Sequence, residues 1–449
     1  MGLRSYFELD KYGTTVRREV LAGVTTFLAM AYILIVNPTI LHMPTILTGK
    51  NIGMPFGPVI IATAVAAGLA TLLTGIYAKK PFAMAPYMGE NVLFAFTMVL
   101  GMGIAWEKAL GAVFWGGVIF LIISLLGVRT ILARAIPSFL AASWSVGIGL
   151  FLIFIGFAAA GISLPNVPGA PVKIGNLATP SVVAALTGTA VTLALLIRRI
   201  PGSILAGIFV TMLISFLMGI PVVKHGGVPT FPNWGEVLGK LDIIGALQIP
   251  ALIPMILVLF LVDTFDTMGT VVGLAVKAGF VDEKGRVVDV DRVFHVDALS
   301  TVLGAIFGTS TVGTFIESAA GIEEGGRTGL SAVVTGLLFL AMIPLAAFIA
   351  MLNPKFLQLA SAPALIAVGI LMMSVIRNID FNDIVQAISV TIAISFMLFT
   401  FSIAIGIAAS LVAYPLIAAA AGRVKEVHPV AWVLAALSAL LFVFYPYPH

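Results

Sequence analysis

The sequence predicts an all-α polytopic membrane protein with fourteen transmembrane spans, arranged as two inverted repeats of seven spans each. Of its 449 residues, 60% are hydrophobic and only 10% are charged, whereas soluble domains carry about 25% charged residues. Apolar runs long enough to cross a hydrocarbon core of ~30 Å recur from Val20 almost to the C-terminus. The Lys and Arg residues gather in alternate connecting segments, which is typical of polytopic membrane proteins.

Proline, glycine and charged residues divide the apolar runs into two series of seven. The first series predicts spans over 19–41, 57–78, 82–102, 107–128, 138–160, 179–197 and 201–220. The second series predicts spans over 247–276, 294–308, 309–324, 328–352, 357–376, 382–401 and 402–421. A last apolar run, 428–446, is predicted to be an additional span or a re-entrant segment.

The polar segments between the spans indicate how the chain is oriented. We expect 1–18 to be a cytoplasmic N-terminus without a cleaved signal peptide, and 164–180 to be a loop. Segment 223–242 should lie at the membrane interface with Trp234 as its anchor. With both ends inside, 18 of the 24 Lys and Arg residues fall on the cytoplasmic side, as the positive-inside rule requires. Because seven is odd, the second half must be inserted upside down relative to the first.

Two spans are interrupted at matching positions in the two halves. In "KPFAMAPYMGENVLFAF" (80–96), prolines and Gly89 break the apolar run just ahead of Glu90 and Asn91. In "GTSTVGTFIESAAGIEEGG" (308–326), a stretch suited to extended chain precedes a helix-forming run that begins at Glu317 and Ser318. Paired interrupted spans are the best pointer in a sequence to a transport site.

Asp263 and Asp266, in "LVLFLVDTFDTMGTVVG" (257–273), are the first candidate site residues. A charged Asp at the bilayer centre costs roughly 2.5–3.5 kcal/mol on insertion scales, so its presence there suggests a function. One interpretation places Asp263 in a central cavity with Asp266 supporting it. The alternative is that Asp266 is simply hydrated at the end of its span.

Three further polar residues belong to the interrupted spans. Glu317 lies where a half-helix begins, beside unpaired N–H groups and the positive end of the helix dipole. Two buried carboxylates that share one cavity suit proton coupling, and the candidates are Glu317, Asp263, Asp266 and Glu90. Asn91 offers an acceptor and two donors to the edge of a heterocycle, or it caps the half-helix.

Other kinds of site are not indicated. The chain has no cysteine and only five scattered histidines, so we predict no disulfide, thiolate nucleophile, metal centre or cofactor. The basic residues lie in short loops, which argues against a nucleic-acid partner.

At these residues the chain resembles the nucleobase–ascorbate transporter superfamily, and most of all the AzgA-like branch of adenine, guanine and hypoxanthine permeases. The resemblance runs through "REVLAGVTTFLAMAYILIVNP" (18–38), "VDTFDTMGTVVGLAVKAG" (262–279), "GTSTVGTFIESAAGIEEGGRTGLSAVVTG" (308–336) and "KEVHPVAWVLAAL" (425–437). It departs from the branch at the break in the third span, where relatives commonly read "GMGLNA" and this chain reads "YMGENV".

The resemblance implies a core domain and a gate domain. The core would comprise spans 1–4 (19–128) and 8–11 (247–352), and the gate would comprise spans 5–7 (138–220) and 12–14 (357–421), with the segment 428–446 added. Spans 3 and 10 would each be a short strand followed by a half-helix. The resemblance also implies a substrate site formed by Asp263, Glu317, Asn91, Gly89, Ser318 and Thr26.

The sequence therefore predicts a plasma-membrane secondary transporter that imports nucleobases, specifically purines, by proton symport and alternating access. A homodimer is an open possibility. The alternatives are a uracil or xanthine permease, to which Glu90 could shift the preference, and a sulfate or bicarbonate transporter on the same scaffold. An intramembrane aspartyl protease is disfavoured because Asp263 and Asp266 share one span, and a channel because the carboxylates are isolated.

Overall fold

The computed structural model describes residues 2–127, 135–167, 170–223, 229–282 and 287–445. Within these ranges the chain is mostly helical, and nine helices are long and apolar enough to cross a membrane. Two shorter apolar helices, Ser203–Leu217 and Ile384–Phe399, the helix Asp291–Phe307 and two half-helices complete the predicted order of fourteen spans. The predicted positions of Arg129, Arg134, Lys224, Lys284 and Arg286 lie outside the described residues.

The first half begins with a short helix, Leu3–Tyr6, and contains spans 1 to 7. Span 1 consists of two helices that are separated by a turn at Ala31 and Tyr32. The spans are Val16–Met30 with Ile33–Thr48 (1), Phe56–Leu73 continued by a π-helix Thr74–Ala78 (2), Met88–Val92 continued by a π-helix Leu93–Gly101 (3), Trp106–Leu125 (4), Ser138–Ala160 (5), Pro180–Ile197 (6) and Ser203–Leu217 (7).

The second half repeats this order. A 3-10 turn, Trp234–Glu236, and a short helix, Ile243–Leu247, precede it. The spans are Leu252–Ala278 (8), Asp291–Phe307 (9), Ser318–Glu323 (10), Gly329–Ala341 with Ala346–Ala350 (11), Pro354–Met373 continued to Asn378 (12), Ile384–Phe399 (13) and Ile403–Ala420 (14). A last helix, Pro429–Phe444, packs on spans 14 and 8.

A two-stranded antiparallel sheet joins the halves at the interrupted spans. Strand β1, Met84–Pro86, leads into the half-helix of span 3, and strand β4, Val312–Thr314, precedes that of span 10. Met84 pairs with Thr314 and Pro86 with Val312. The prediction of a strand and half-helix in both spans is confirmed. Non-helical backbone survives at membrane depth only when it is buried in protein or lines a cavity, and every residue of both strands is buried.

The spans pack in two groups. Spans 1 and 2 pack on span 11, span 4 packs on spans 8 and 9, and the half-helix of span 10 packs on span 1. Span 5 packs on spans 12 and 13, while spans 6 and 7 pack on each other and on span 12. Fewer contacts join the two groups, and they involve mainly spans 1, 3, 5, 8, 12 and 14.

One local prediction needs correction. Segment 164–180 was expected to be a loop, but β2, Ser163–Val167, and β3, Ala170–Ile174, form an antiparallel pair there. The polar and proline-containing composition of the segment does not reveal this pairing. The indole Nε1 of Trp234 donates to the carbonyl of Phe307 (2.9 Å) at the end of span 9, and the interface position of segment 223–242 stays a prediction.

Candidate functional site

The crossing of the two interrupted spans is held by Tyr87, which lies between β1 and its half-helix. Its hydroxyl donates to the carbonyl of Thr314 (3.0 Å) and shares a hydrogen bond with Thr267 Oγ1 (3.2 Å). Its ring stacks on Phe315, with 6.0 Å between ring centroids. A Cβ at Gly313 would overlap this ring, so the close approach of β4 to Tyr87 requires glycine.

Asp297 is a buried carboxylate at the crossing that the sequence analysis did not identify. It accepts hydrogen bonds from Thr267 Oγ1 (2.7 Å), from the backbone N–H of Thr314 (2.7 Å) and from Thr314 Oγ1 (2.6 Å). Asp297 therefore joins spans 8 and 9 to β4. The signal was present in "RVFHVDALSTVLG" (292–304), where an Asp interrupts an apolar run, but its position near the start of a span resembles a hydrated flank.

Asp263 lies behind the cavity described below, on the side of span 8 that faces span 9. It is 1% exposed, and its Oδ2 accepts from Thr301 Oγ1 (2.8 Å). Its Oδ1 is buried and has no hydrogen-bond donor within the described part of the chain. A buried acceptor without a donor costs about 1–3 kcal/mol, and Asp263 is not among the described residues that line the cavity.

Glu317 and Ser318 lie at the start of the span 10 half-helix, as predicted. The carboxylate of Glu317 accepts from the hydroxyl of Tyr32 (2.6 Å), which projects from the break in span 1. Ser318 Oγ accepts from the backbone N–H of Ala83 (2.9 Å) and donates to the carbonyl of Phe315 (2.7 Å). Thr26 is buried against Gly321 of the same half-helix. Span 1 thus holds the half-helix in place.

Asn91 is fully buried in a network of polar side chains. Its Nδ2 donates to Asn37 Oδ1 (2.7 Å), and its Oδ1 accepts from Ser310 Oγ. Asn37 in turn donates to Thr63 and Thr309. Since the network uses both ends of the Asn91 amide, the structure gives Asn91 a role in joining spans 1, 2 and 3 to the segment before β4. Gly89 lets the half-helix approach span 5, where its Cβ would lie 3.0 Å from Ile148.

A cavity of about 350 Å³ lies where the two groups of spans meet. Its wall combines apolar and aromatic side chains with two carboxylates, one of which belongs to Asp266 rather than to Asp263. The lining residues are Glu90, Ile136, Ser138, Ala141, Ala142, Trp144, Ser145, Ile148, Val262, Phe265, Asp266, Met268, Gly269, Val272, Met372, Val375 and Asn378. Glu90 Oε1 is buried and has no hydrogen-bond partner among the described residues.

The cavity is acidic. Glu90 and Asp266 are close enough for their charges to interact, and Glu317 acts on Asp266 in the same way. None of the described residues on the wall is Lys, Arg or His. Nor do the described residues include a group of three or more His, Cys, Asp or Glu side chains that could hold a metal ion. A wall of this kind favours hydrogen-bond donors and disfavours anions.

The cavity reaches one face of the molecule and is closed toward the other. Its lining extends from Trp144 and Glu90 to Ile136 and Asn378, which are at the ends of spans 5 and 12. On the opposite side, Phe96, Phe151 and Phe401 form an aromatic cluster, with 5.6 Å between the ring centroids of Phe96 and Phe401 and 4.6 Å between those of Phe151 and Phe401. This cluster joins span 3 to span 5 and to the turn between spans 13 and 14.

Comparisons with known proteins agree with this architecture. A family model named Xan_ur_permease, described as a permease family, matches residues 17–409. A putative permease of Methanocaldococcus jannaschii is 44% identical over 442 residues, which cover 98% of each chain. The adenine permease AdeP of Escherichia coli is 38% identical over 98% of this chain and 96% of its own. The guanine/hypoxanthine permease PbuG of Bacillus subtilis is 37% identical over 98% and 100% of the two chains.

Among solved structures, the transmembrane domain of the cyanobacterial bicarbonate transporter BicA has a TM-score of 0.58 at 15% identity, covering 88% of this chain and 97% of that one. This likeness shows a shared fold of two inverted repeats. The family match over most of the chain, together with identities above 30%, shows that the protein belongs to this permease family of the nucleobase–ascorbate transporter superfamily and is a membrane transporter, not an enzyme.

Proposed function

We propose that the protein imports purine nucleobases across the plasma membrane by proton symport. The single observation that carries this proposal is the cavity of about 350 Å³, whose wall combines aromatic rings with two carboxylates and, among the described residues, carries no basic one. Its volume lies at the low end of the ~300–1,000 Å³ found for small-molecule sites, which suits a single base. The relatives named for adenine and for guanine/hypoxanthine transport support this substrate class.

The chemistry of a purine matches the wall. Its flat ring offers a face to Trp144 or Phe265, whose own rings meet edge to face at 5.7 Å. Its N–H edge offers donors to the carboxylates of Asp266 and Glu90. In this proposal these two residues meet the base first, and Glu317 and Asp263 hold it when the site closes. Asp263 would use its Oδ1, which has no hydrogen-bond donor among the described residues.

The remaining predicted site residues act in this proposal by positioning. Ser318 and Thr26 fix the span 10 half-helix, while Asn91 and Gly89 fix that of span 3. Because the half-helices supply backbone groups at the site, a small displacement of either would change the fit of the base.

Coupling to protons follows from the number of acids. Glu90, Asp263, Asp266, Asp297 and Glu317 all lie in the interior at the crossing, and several charges confined there have a high free-energy cost. A proton that binds this cluster together with a neutral base lowers that cost. We therefore propose that each base enters with a proton carried by one of these carboxylates.

Alternating access is proposed to use the two groups of spans. Spans 1–4 and 8–11 would form the core, which carries the half-helices, and spans 5–7 and 12–14 would form the gate. The described cavity reaches the face proposed to be cytoplasmic, where the N-terminus lies, while the Phe96–Phe151–Phe401 cluster closes the other face. Movement of the core against the gate would separate these rings and expose the same acids outside.

Uptake of radiolabelled adenine, guanine, hypoxanthine, xanthine and uracil into a transport-deficient host tests the proposal. We expect saturable purine uptake that is lost in Asp266→Asn and abolished when an uncoupler collapses the proton gradient. Saturable uptake of uracil or xanthine alone would support the alternative pyrimidine or xanthine permease. Uptake of none of the five bases would contradict the proposal, and uptake that needs sodium but not the proton gradient would contradict symport with protons.

A bicarbonate or sulfate carrier is the second candidate, because the fold is shared with the bicarbonate transporter BicA. The acidic wall argues against it, since an anion would meet the carboxylates of Glu90 and Asp266 without a compensating cation. Competition of base uptake by millimolar bicarbonate or sulfate would reveal such an activity.

A further inference from the structure

A second cavity lies at the face of the molecule that carries the N-terminal segment. Its volume is about 310 Å³, and its wall is formed by the N-terminal segment, the end of span 2 and the start of span 9. The cations that line it among the described residues are Lys11, Lys79, Lys80 and Arg292. The cavity shares no lining residue with the acidic cavity.

Lys80 is the central residue of this second cavity. It is only 4% exposed, and its ammonium lies 3.8 Å from the centroid of the Phe280 ring. Among the described residues it forms no ion pair, although the charge of Asp289 acts on it. Burial lowers the pKa of Lys80, so a buried ammonium here lacks the compensation that an anion would supply.

Two of the other three cations, Lys79 and Arg292, are also poorly compensated. Lys79 lies over the ring of Tyr6 at 4.6 Å, and the guanidinium of Arg292 lies 5.5 Å from the ring of Tyr77; neither has an ion pair within the described ranges. Lys11 is paired with Glu8 at 2.8 Å.

Three carboxylates line the same cavity, and their charges must be weighed against the cations. Glu8 is neutralised by Lys11, which leaves Asp289 and Asp291 facing Lys79, Lys80 and Arg292. Among the described residues of this wall, the balance is one net positive charge.

We propose that this cavity binds the phosphate group of an anionic ligand, with Lys80, Lys79 and Arg292 as its partners. A phosphate oxygen accepts hydrogen bonds from ammonium and guanidinium groups, and it would satisfy Lys80 without displacing the Lys11–Glu8 pair. The phosphate belongs either to the headgroup of an anionic lipid or to a soluble phosphate compound. Basic pockets at helix ends bind lipid headgroups in membrane proteins, and Ile76 and Tyr77, about half exposed on span 2, lie directly beside the cavity.

The bound phosphate would fasten the N-terminal segment to the bundle. Tyr6 and Lys11 belong to that segment, Lys79 follows span 2, and Arg292 begins span 9. A ligand that binds only the folded protein stabilises it by mass action, so occupancy should raise the thermal midpoint of unfolding. This effect does not depend on what the transporter carries.

Thermal unfolding of the purified full-length protein tests the site. In one arm the protein is reconstituted in nanodiscs of phosphatidylcholine alone or with 30 mol% phosphatidylglycerol, and in the other arm it is kept in neutral detergent with or without 10 mM inorganic phosphate. We expect Tm to rise by about 2 °C or more in at least one arm. A rise with phosphatidylglycerol alone identifies a lipid headgroup, and a rise with inorganic phosphate identifies a soluble source.

Matched variants decide whether the rise comes from this cavity. Lys80→Gln should lose it, Arg292→Gln should reduce it, and the control Lys240→Gln, at the opposite end of span 9, should keep it. Arg292→Gln serves as the test if Lys80→Gln does not fold. No rise in either arm, or a rise that Lys80→Gln and Arg292→Gln retain in full, would overturn the proposal.

Discussion

The interior carboxylates differ in the hydrogen bonds they accept, and in our proposal this difference separates structural from transport roles. Asp297 accepts three hydrogen bonds from the protein, and Glu317 and Asp263 each accept one from a side-chain hydroxyl. Glu90 and Asp266 instead line the cavity. A carboxylate that already accepts several hydrogen bonds from the protein has fewer acceptor sites left for a ligand.

The first prediction concerns Asp297. Asp297→Asn places an NH₂ group against donors that now meet a carboxylate oxygen, so the free energy of unfolding should fall by about 1–3 kcal/mol. Thermal unfolding should show the loss, and base uptake should fall with it. The matched variant Thr267→Ser keeps the hydroxyl and should lose little, so equal losses in the two variants would contradict the role of Asp297 as an acceptor.

The second prediction concerns Glu90, which lies on the wall of the acidic cavity. Guanine presents two neighbouring N–H donors, which a carboxylate accepts together, whereas an amide accepts only one. Glu90→Gln should therefore raise the guanine concentration needed for half-maximal competition by about tenfold, equivalent to ~1.4 kcal/mol, with a smaller change for adenine. Ser145→Ala, on the same wall, is the control. Equal changes for both bases would show that Glu90 does not discriminate between them.

At the scale of elements, the interrupted spans were predictable and their partners were not. Pro81, Pro86 and the Thr/Val/Gly stretch before Glu317 interrupt the helical pattern, so the local sequence predicts extended chain at both places. The hairpin of β2 and β3 depends on pairing between Ser163 and Ile174, which the Pro-containing composition of the segment conceals. Asp297 was missed because its hydrogen-bond donors lie on span 8 and β4, and no pattern near Asp297 in the sequence indicates them.

The ends of spans 13 and 14 give a prediction that depends on pH. Arg423 forms ion pairs with Asp383, which caps span 13, and with Glu426 (2.7 Å each), and the hydrogen bonds from Arg423 lower the pKa of both carboxylates. Because the pKa of these carboxylates is lower in the folded than in the unfolded state, the ion pairs stabilise the protein at any pH above the unfolded-state pKa, which is near 4. This stabilisation is lost as the pH falls through the folded-state pKa. Asp383→Asn should therefore lower Tm at pH 7.

This difference between the wild type and Asp383→Asn should shrink as pH falls below 4. Thermal unfolding between pH 7 and pH 3 measures it. Asp380→Asn is the control, because Asp380 accepts hydrogen bonds from Asn382 but forms no ion pair within the described chain. A Tm difference that stays constant across the range would contradict a charge-dependent link between the two spans.

At the scale of the whole molecule, the cavity and the aromatic cluster lie on opposite sides of the crossing. Composition and charge were sufficient to predict the number, order and inversion of the spans. Each span must be apolar and must pair its backbone groups internally, because the hydrocarbon core of the bilayer offers no hydrogen bonds. The relative position of the two groups of spans depends on contacts between distant side chains, such as Phe96 with Phe401. Such contacts leave no periodic signal in the sequence.

The absence of cysteine allows this arrangement to be probed directly. Single cysteines at Ser145, on the cavity wall, and at Phe96, in the aromatic cluster, can be labelled with a membrane-impermeant maleimide. We expect Ser145→Cys to react from the N-terminal face alone and Phe96→Cys to be protected from both faces. Purine should protect Ser145→Cys. Reaction of Phe96→Cys at the rate of an exposed control such as Leu47→Cys would show that the far side is open.

The strand pairing between the halves also constrains how the chain is made. Met84 and its partner Thr314 are separated by 230 residues, and a ribosome adds about 5–20 residues per second. On the order of ten seconds or more therefore pass between the synthesis of β1 and the synthesis of its partner strand β4. Unpaired peptide groups in lipid have a high free-energy cost. The peptide groups of β1 therefore need other hydrogen-bond partners until the second half is synthesised, and water, the insertion machinery or neighbouring residues of the first half could supply them.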